Sequence, residues 1–191
     1  MKTTTLTQLS MLIALTVLLG VVPNLGMIQV GPVALTILHI PVIIAAALFG
    51  IKGGAIVGLS FGVTSWFVAA TRAATPIDLL FVNPLVSVLP RVLFGIVAGM
   101  FCQATLFKKD NSVKYAAVGF VSTLIHSFLV YFCLYFCGKE IFFPDTNITG
   151  AISNFVPFIV SAFTINSLIE AVVAALILAL LMKAIKTIRK N

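Results

Sequence analysis

From Leu6 to Ala184 the chain is a succession of long apolar stretches, each ended by only a few polar residues. Charged residues make up 9% of the sequence and hydrophobic ones 61%, with a mean hydropathy of +1.19. A soluble domain devotes about a quarter of its residues to charge, so this chain cannot coat a water-facing surface. Apolar runs of about 20 residues are what a bilayer core requires of a spanning helix. The expectation is an all-α integral membrane protein, one transmembrane domain over residues 1–191.

Hydropathy and breaker residues divide the chain into six helices, at about residues 6–23, 37–49, 54–70, 83–106, 114–137 and 155–184. The second is short and stops at a tight Gly50–Gly53 turn; a Gly- and Pro-containing loop, Asn24–Thr36, precedes it. The apolar run after Lys2 has no small-residue cleavage site, so it reads as a retained first helix rather than a signal peptide. Threading the helices from a cytoplasmic N-terminus places nine bases inside: Lys2, Lys52, Lys108, Lys109, Lys114, Lys183, Lys186, Arg189 and Lys190. Only Arg72 and Lys139 then lie in outer loops. That bias is the positive-inside pattern. The net charge of +7 thus sets topology and touches anionic lipid, and it does not call for nucleic acid.

Gly54, Gly58 and Gly62 recur at four-residue spacing on the third helix, and Gly95 and Gly99 on the fourth. Small-residue faces let helix backbones approach closely in lipid, so helices three and four are expected inside the bundle. Cys102, Cys133 and Cys137 lie in apolar stretches and read as small buried hydrophobes, with no metal site around them.

Charged residues within a span are costly and are functional candidates. Two occur, Arg91 and Glu170. Asn83, Ser87 and Arg91 follow at i, i+4 and i+8, which puts them on one face if the helix is continuous. Arg91 can offer a positive fork to a ligand carboxylate or phosphate, or it can pair with Glu170, nearer the cytoplasmic side, as a structural tie. His39, Trp66, Tyr131 and Asn166 are further candidates to line a pocket in the outer half of the bundle. His126 can equally serve helix packing. No hydrolase, metalloprotease or nucleotide-binding signature is present, which argues against an enzyme. Uphill movement of a substrate would need ATP hydrolysis by a partner or an ion gradient.

Three segments carry a resemblance. The run Gly31-Pro32-Val33-Ala34-Leu35-Thr36-Ile37-Leu38-His39-Ile40-Pro41 leads into Gly53-Gly54 and Gly58, and Asn83-Pro84-Leu85-Val86-Ser87-Val88-Leu89-Pro90-Arg91 follows. Together they resemble the substrate-binding S component of energy-coupling factor (ECF) vitamin transporters, over essentially the whole chain. The resemblance implies a subunit of the prokaryotic plasma membrane that captures a vitamin from outside. It also implies a transmembrane coupling subunit and two ATPase subunits as partners. ATP would be hydrolysed there, and this chain would bind no cofactor. The His-Ile-Pro and Leu-Pro-Arg segments look most like the pantothenate-type branch; a thiamin precursor such as hydroxymethylpyrimidine, riboflavin and folate are the alternatives within the family. In this family helices one to three form the coupling surface, often through an alanine-xxx-alanine pattern. Here Ser10-xxx-Ala14 is the nearest equivalent, with Gly54, Gly58 and Gly62 as further candidates. A solitary proton-coupled carrier and a structural membrane subunit are the readings from other classes.

Overall fold

The computed structural model of the chain describes residues 3–30, 33–73, 76–104, 112–142 and 166–190. Among these, five helices are long and apolar enough to cross a membrane. The first, α1 (Thr3–Val21), is followed by a small antiparallel hairpin, β1 (Met27–Val30) with β2 (Val33–Thr36), in register Val30↔Val33 to Met27↔Thr36. The Asn24–Thr36 segment, expected as a loop, is therefore largely paired. A two-stranded hairpin is marginal by itself in water; here the Ile37 amide donates to the Gly26 carbonyl at 3.0 Å and closes its base.

The chain continues as α2 (His39–Arg72), two short segments α3 (Pro76–Leu80) and α4 (Pro84–Ser87), then α5 (Leu89–Gln103), α6 (Ser112–Phe142) and α7 (Leu168–Lys190). The expected second and third helices form one run broken at a single residue, Gly50, at φ 67° and ψ −153°. That conformation is essentially confined to glycine, so Gly50 supplies the whole corner, and Ile51–Gly53 are already helical. The arm before it, at about 1.5 Å per residue, is roughly 16 Å long and cannot cross a bilayer core of about 30 Å alone. It does something else: His39 through Ala46 are all buried. A helix apolar on every side belongs in the middle of a bundle, and this arm forms the core with Phe61 of α2 and Phe94 and Ala98 of α5.

The third and fourth helices were expected to be interior, but each shows one face outward. On α2 that face carries Ile56, Leu59, Val63 and Phe67; on α5 it carries Leu89, Leu93 and Met100. Their opposite faces meet along the glycines. A Cβ on Gly58 would stand 2.5 Å from the Arg91 carbonyl oxygen, and one on Gly62 2.7 Å from Val88 Cα; Gly54 and Gly95 face each other directly. The order of these meetings makes the two helices antiparallel. Gly54, Gly58 and Gly62 thus pack against α5.

The expected fourth helix is also two pieces. Asn83 caps α4, its side-chain oxygen accepting from the Leu85 amide at 3.0 Å, and Val88 separates α4 from α5. The expected sixth helix, 155–184, is seen from Leu168, and its first part lies outside the described residues.

Candidate functional site

Several hydroxyls in the spans are accounted for locally. Thr16 bonds the Leu12 carbonyl, Thr64 that of Ser60 and Thr123 that of Gly119, each at 2.8 Å and four residues back. Such back-bonding lets a polar side chain sit in an apolar helix without an outside partner. It removes these groups from consideration as ligand contacts.

Arg91 is different. It lies two residues inside α5, just after the break at Val88, and is 6% exposed. Pro90 has no N–H to offer the Val86 carbonyl four residues back, and Arg91 Nη1 donates to it instead at 2.6 Å. The guanidinium carbon lies 4.9 Å from the Phe81 ring centroid and 5.5 Å from that of Phe61, distances at which an aromatic face attracts a cation. Its Nε has no hydrogen-bond partner.

Phe61 links Arg91 to a second group. The His126 ring of α6 lies 5.6 Å from Phe61, 4.7 Å from Phe94 and 6.0 Å from His39, with the two imidazoles stacked at 19°. His39 is 1% and His126 4% exposed. Nδ1 of His126 and the Ser122 hydroxyl one turn before it are buried with no hydrogen-bond partner, while the His39 ring stands against the Thr36 backbone. An unmade hydrogen bond at a buried group costs about 1–3 kcal/mol, and Arg91 Nε and His126 Nδ1, both on groups that meet Phe61, carry such unmade bonds.

The proposed tie between Arg91 and Glu170 is not made. The Glu170 carboxylate instead accepts the Thr36 amide at 2.5 Å. Glu170 stands in the first turn of α7, where it meets the last residue of β2, and so lies at the hairpin end of that helix. A charge-assisted bond to a backbone amide is among the stronger ones, and this one fastens the last residue of β2 to α7.

The remaining candidates scatter. Ser87 is buried and its hydroxyl turns back to the Asn83 carbonyl at 3.2 Å. Asn83 is exposed and occupied as the cap of α4, so of the expected Asn83–Ser87–Arg91 face only Ser87 and Arg91, both buried, remain together. Trp66 is 39% exposed and donates from Nε1 to the Val82 carbonyl at 3.0 Å, which fastens the segment leading into α4. Tyr131 packs against the small cluster of Leu80, Val86 and Leu134 near Phe81. Asn166 lies in a π-type turn leading into α7 and is half-buried. On α1, Ser10 and Ala14 are both exposed. The sequence left His126 open between a site and helix packing, and it did not single out Phe61, Phe81 or Phe94. For the phenylalanines no signal could have done so, since 16 of them are spread through the chain.

Residues 4–182 match the family described as "ECF transporter, substrate-specific component". The chain is similar to the pantothenate transporter PanT of Leuconostoc mesenteroides subsp. mesenteroides, with 31% identity over 127 residues, 64% of this chain and 62% of that relative. It is also similar to the pantothenic acid transporter PanT of Lactococcus lactis subsp. cremoris, with 27% identity over 175 residues, 84% of this chain and 82% of that relative. The matched part thus spans less than two thirds of the Leuconostoc protein and most of the Lactococcus one. A family match over almost the entire length, joined to a bundle of long apolar helices, makes this a multi-pass protein of the cell membrane that belongs to the substrate-specific components of ECF transporters.

Proposed function

We propose that this chain is the high-affinity pantothenate-binding subunit of an ECF-type importer, capturing the vitamin outside and delivering it with an ATPase-driven module. The observation that carries the ligand reading is Arg91: a cation buried among helices, bonded to one carbonyl and unpaired at Nε. Pantothenate brings a carboxylate, an amide and two hydroxyls on a branched apolar body. The carboxylate suits the planar guanidinium fork, and the apolar body suits Phe61 and Phe81 on either side of it. The two relatives named for pantothenate support the same substrate.

In this reading the chain has six helical segments, with the two arms of α2 counted separately at Gly50, and both termini are cytoplasmic. The clustering of Lys52, Lys108, Lys109 and Lys114 with the C-terminal bases supports that orientation. The hairpin then roofs the outer side. The coupling subunit docks on α1, whose Ser10 and Ala14 are exposed among Met11, Leu15 and Leu18, and two ATPase subunits complete the module.

The test is a calorimetric titration of purified protein with pantothenate, comparing the unaltered chain with Arg91→Ala. Loss of a charged partner in a buried site costs about 2–5 kcal/mol, so affinity should fall at least about 30-fold. The variant should stay monodisperse in detergent. Undiminished affinity in a folded variant would overturn the assignment of Arg91 as the anion contact.

A further inference from the structure

Beyond the anion contact, the bundle holds a second set of polar groups that the proposed function does not yet use. His39 begins α2 and His126 sits midway along α6, so residues far apart in sequence stack at 6.0 Å. Their surroundings are aromatic, with Phe61 and Phe94 both against His126. Ser122 and His126 are four residues apart and therefore share a face of α6, and both carry an unpartnered buried polar atom. Thr123, the neighbour of Ser122, bonds back to its own helix, so the lack of a partner at Ser122 is not general to α6 hydroxyls. An imidazole offers both a donor and an acceptor, and a hydroxyl likewise; such groups match alcohols and amides rather than a carboxylate, which Arg91 already serves. Phe61 touches both Arg91 and His126, so one aromatic ring stands between the cationic group and the imidazoles.

We propose that His126, together with His39 and Ser122, is a specificity-determining site that hydrogen-bonds the hydroxyl-bearing end of an anionic ligand whose carboxylate lies on Arg91. The ligand is thereby oriented, with its charged end toward α5 and its dihydroxy end between the start of α2 and the middle of α6. The assignment rests on the pantothenate reading and adds to it a direction and a second recognition point. It also predicts rejection of carboxylates that lack the hydroxyls, because they would leave the imidazoles unpaired.

The experiment pairs a protein change with a ligand change. Pantothenate and N-(3,3-dimethylbutanoyl)-β-alanine, which keeps the carboxylate, amide and branched body but has neither hydroxyl, are titrated into the unaltered protein, His126→Phe and His126→Asn. The unaltered protein should prefer pantothenate by about tenfold or more, the worth of one or two hydrogen bonds. His126→Phe should weaken pantothenate by about the same factor and leave the analogue within about threefold. His126→Asn, smaller and still polar, should fall between the two. Equal affinities of the unaltered protein for both compounds would overturn the assignment, and this arm needs no variant to fold. Equal losses for both compounds in a monodisperse variant would overturn it as well, and His126 would be a packing residue. If the unaltered protein bound no pantothenate, the proposed function itself would fall, an outcome distinct from the other two.

Discussion

The glycine seam and the polar cluster are built by the same two helices, α2 and α5, and they share one residue. The carbonyl of Arg91 faces Gly58 in the seam, while its guanidinium lies between Phe61 and Phe81 in the cluster. In the seam everything is matched: backbone lies on backbone, with no room for a methyl group. In the cluster the side chains are equally buried but their hydrogen-bonding groups are not all used. Lipid offers no hydrophobic gain for bringing helices together, so close backbone contact has to hold them. The contrast teaches that the seam holds Arg91 in place through its backbone, so the guanidinium's position beside Phe61 and Phe81 is set from outside the cluster.

Breaking the seam should have the largest effect. Gly58→Leu drives a side chain into the Arg91 carbonyl, and overpacking of this kind costs about 3 kcal/mol or more where neither backbone can retreat. The expected outcome is loss of the monodisperse peak in size-exclusion chromatography, with ligand binding lost alongside. Arg91→Ala probes the cluster alone: binding should collapse while the thermal midpoint in detergent stays the same or rises, because a buried cation with an unpaired group is removed. A large fall in the midpoint would show that the guanidinium also holds the fold.

A smaller effect is expected at the hairpin. Glu170→Ala removes the acceptor of the Thr36 amide, a bond worth about 1.5–3 kcal/mol. Amide hydrogen exchange at Thr36 should accelerate by about tenfold or more, and pantothenate should dissociate faster with little change in overall stability. Unchanged exchange would mean that the hairpin is held by its own ladder and by the Ile37–Gly26 bond. The smallest effect on binding is expected from Ala14→Leu on the exposed face of α1. Affinity should stay within about twofold, while uptake by the assembled importer falls several-fold. If binding and uptake fell together, Ala14 would belong to the bundle's own packing.

The arrangement of spans was largely legible because it rests on a one-dimensional property. Length and apolarity identify a membrane helix wherever it lies, and α1, α5, α6 and the later part of α2 fall close to their expected ranges. Less legible were features that depend on hydrogen bonds between distant segments. The 24–36 stretch read as a loop because its few residues carry no clear alternation, and it became a hairpin through the pairing of Met27–Val30 with Val33–Thr36. The four-residue rhythm of Asn83, Ser87 and Arg91 implied a common face, and Ser87 and Arg91 are both buried, yet Asn83 is the extended cap of α4 and is exposed. The glycine spacing marked a close helix contact correctly and left its partner undecided.

By itself, then, the sequence determined that the chain lives in a bilayer, that its bases gather between particular spans, and that Arg91 and Glu170 are the two charges needing an explanation. Hydropathy and charge act through the solvent, and each residue carries them independently of its neighbours in space. Only the tertiary structure decided how those two charges are used. Glu170 meets the backbone of Thr36 across the bundle, and Arg91 meets Phe61 and, beyond it, His126. Such partners are set by which helix faces close on each other, and that is fixed by the fit of Gly54, Gly58 and Gly62 against α5 and by the corner at Gly50.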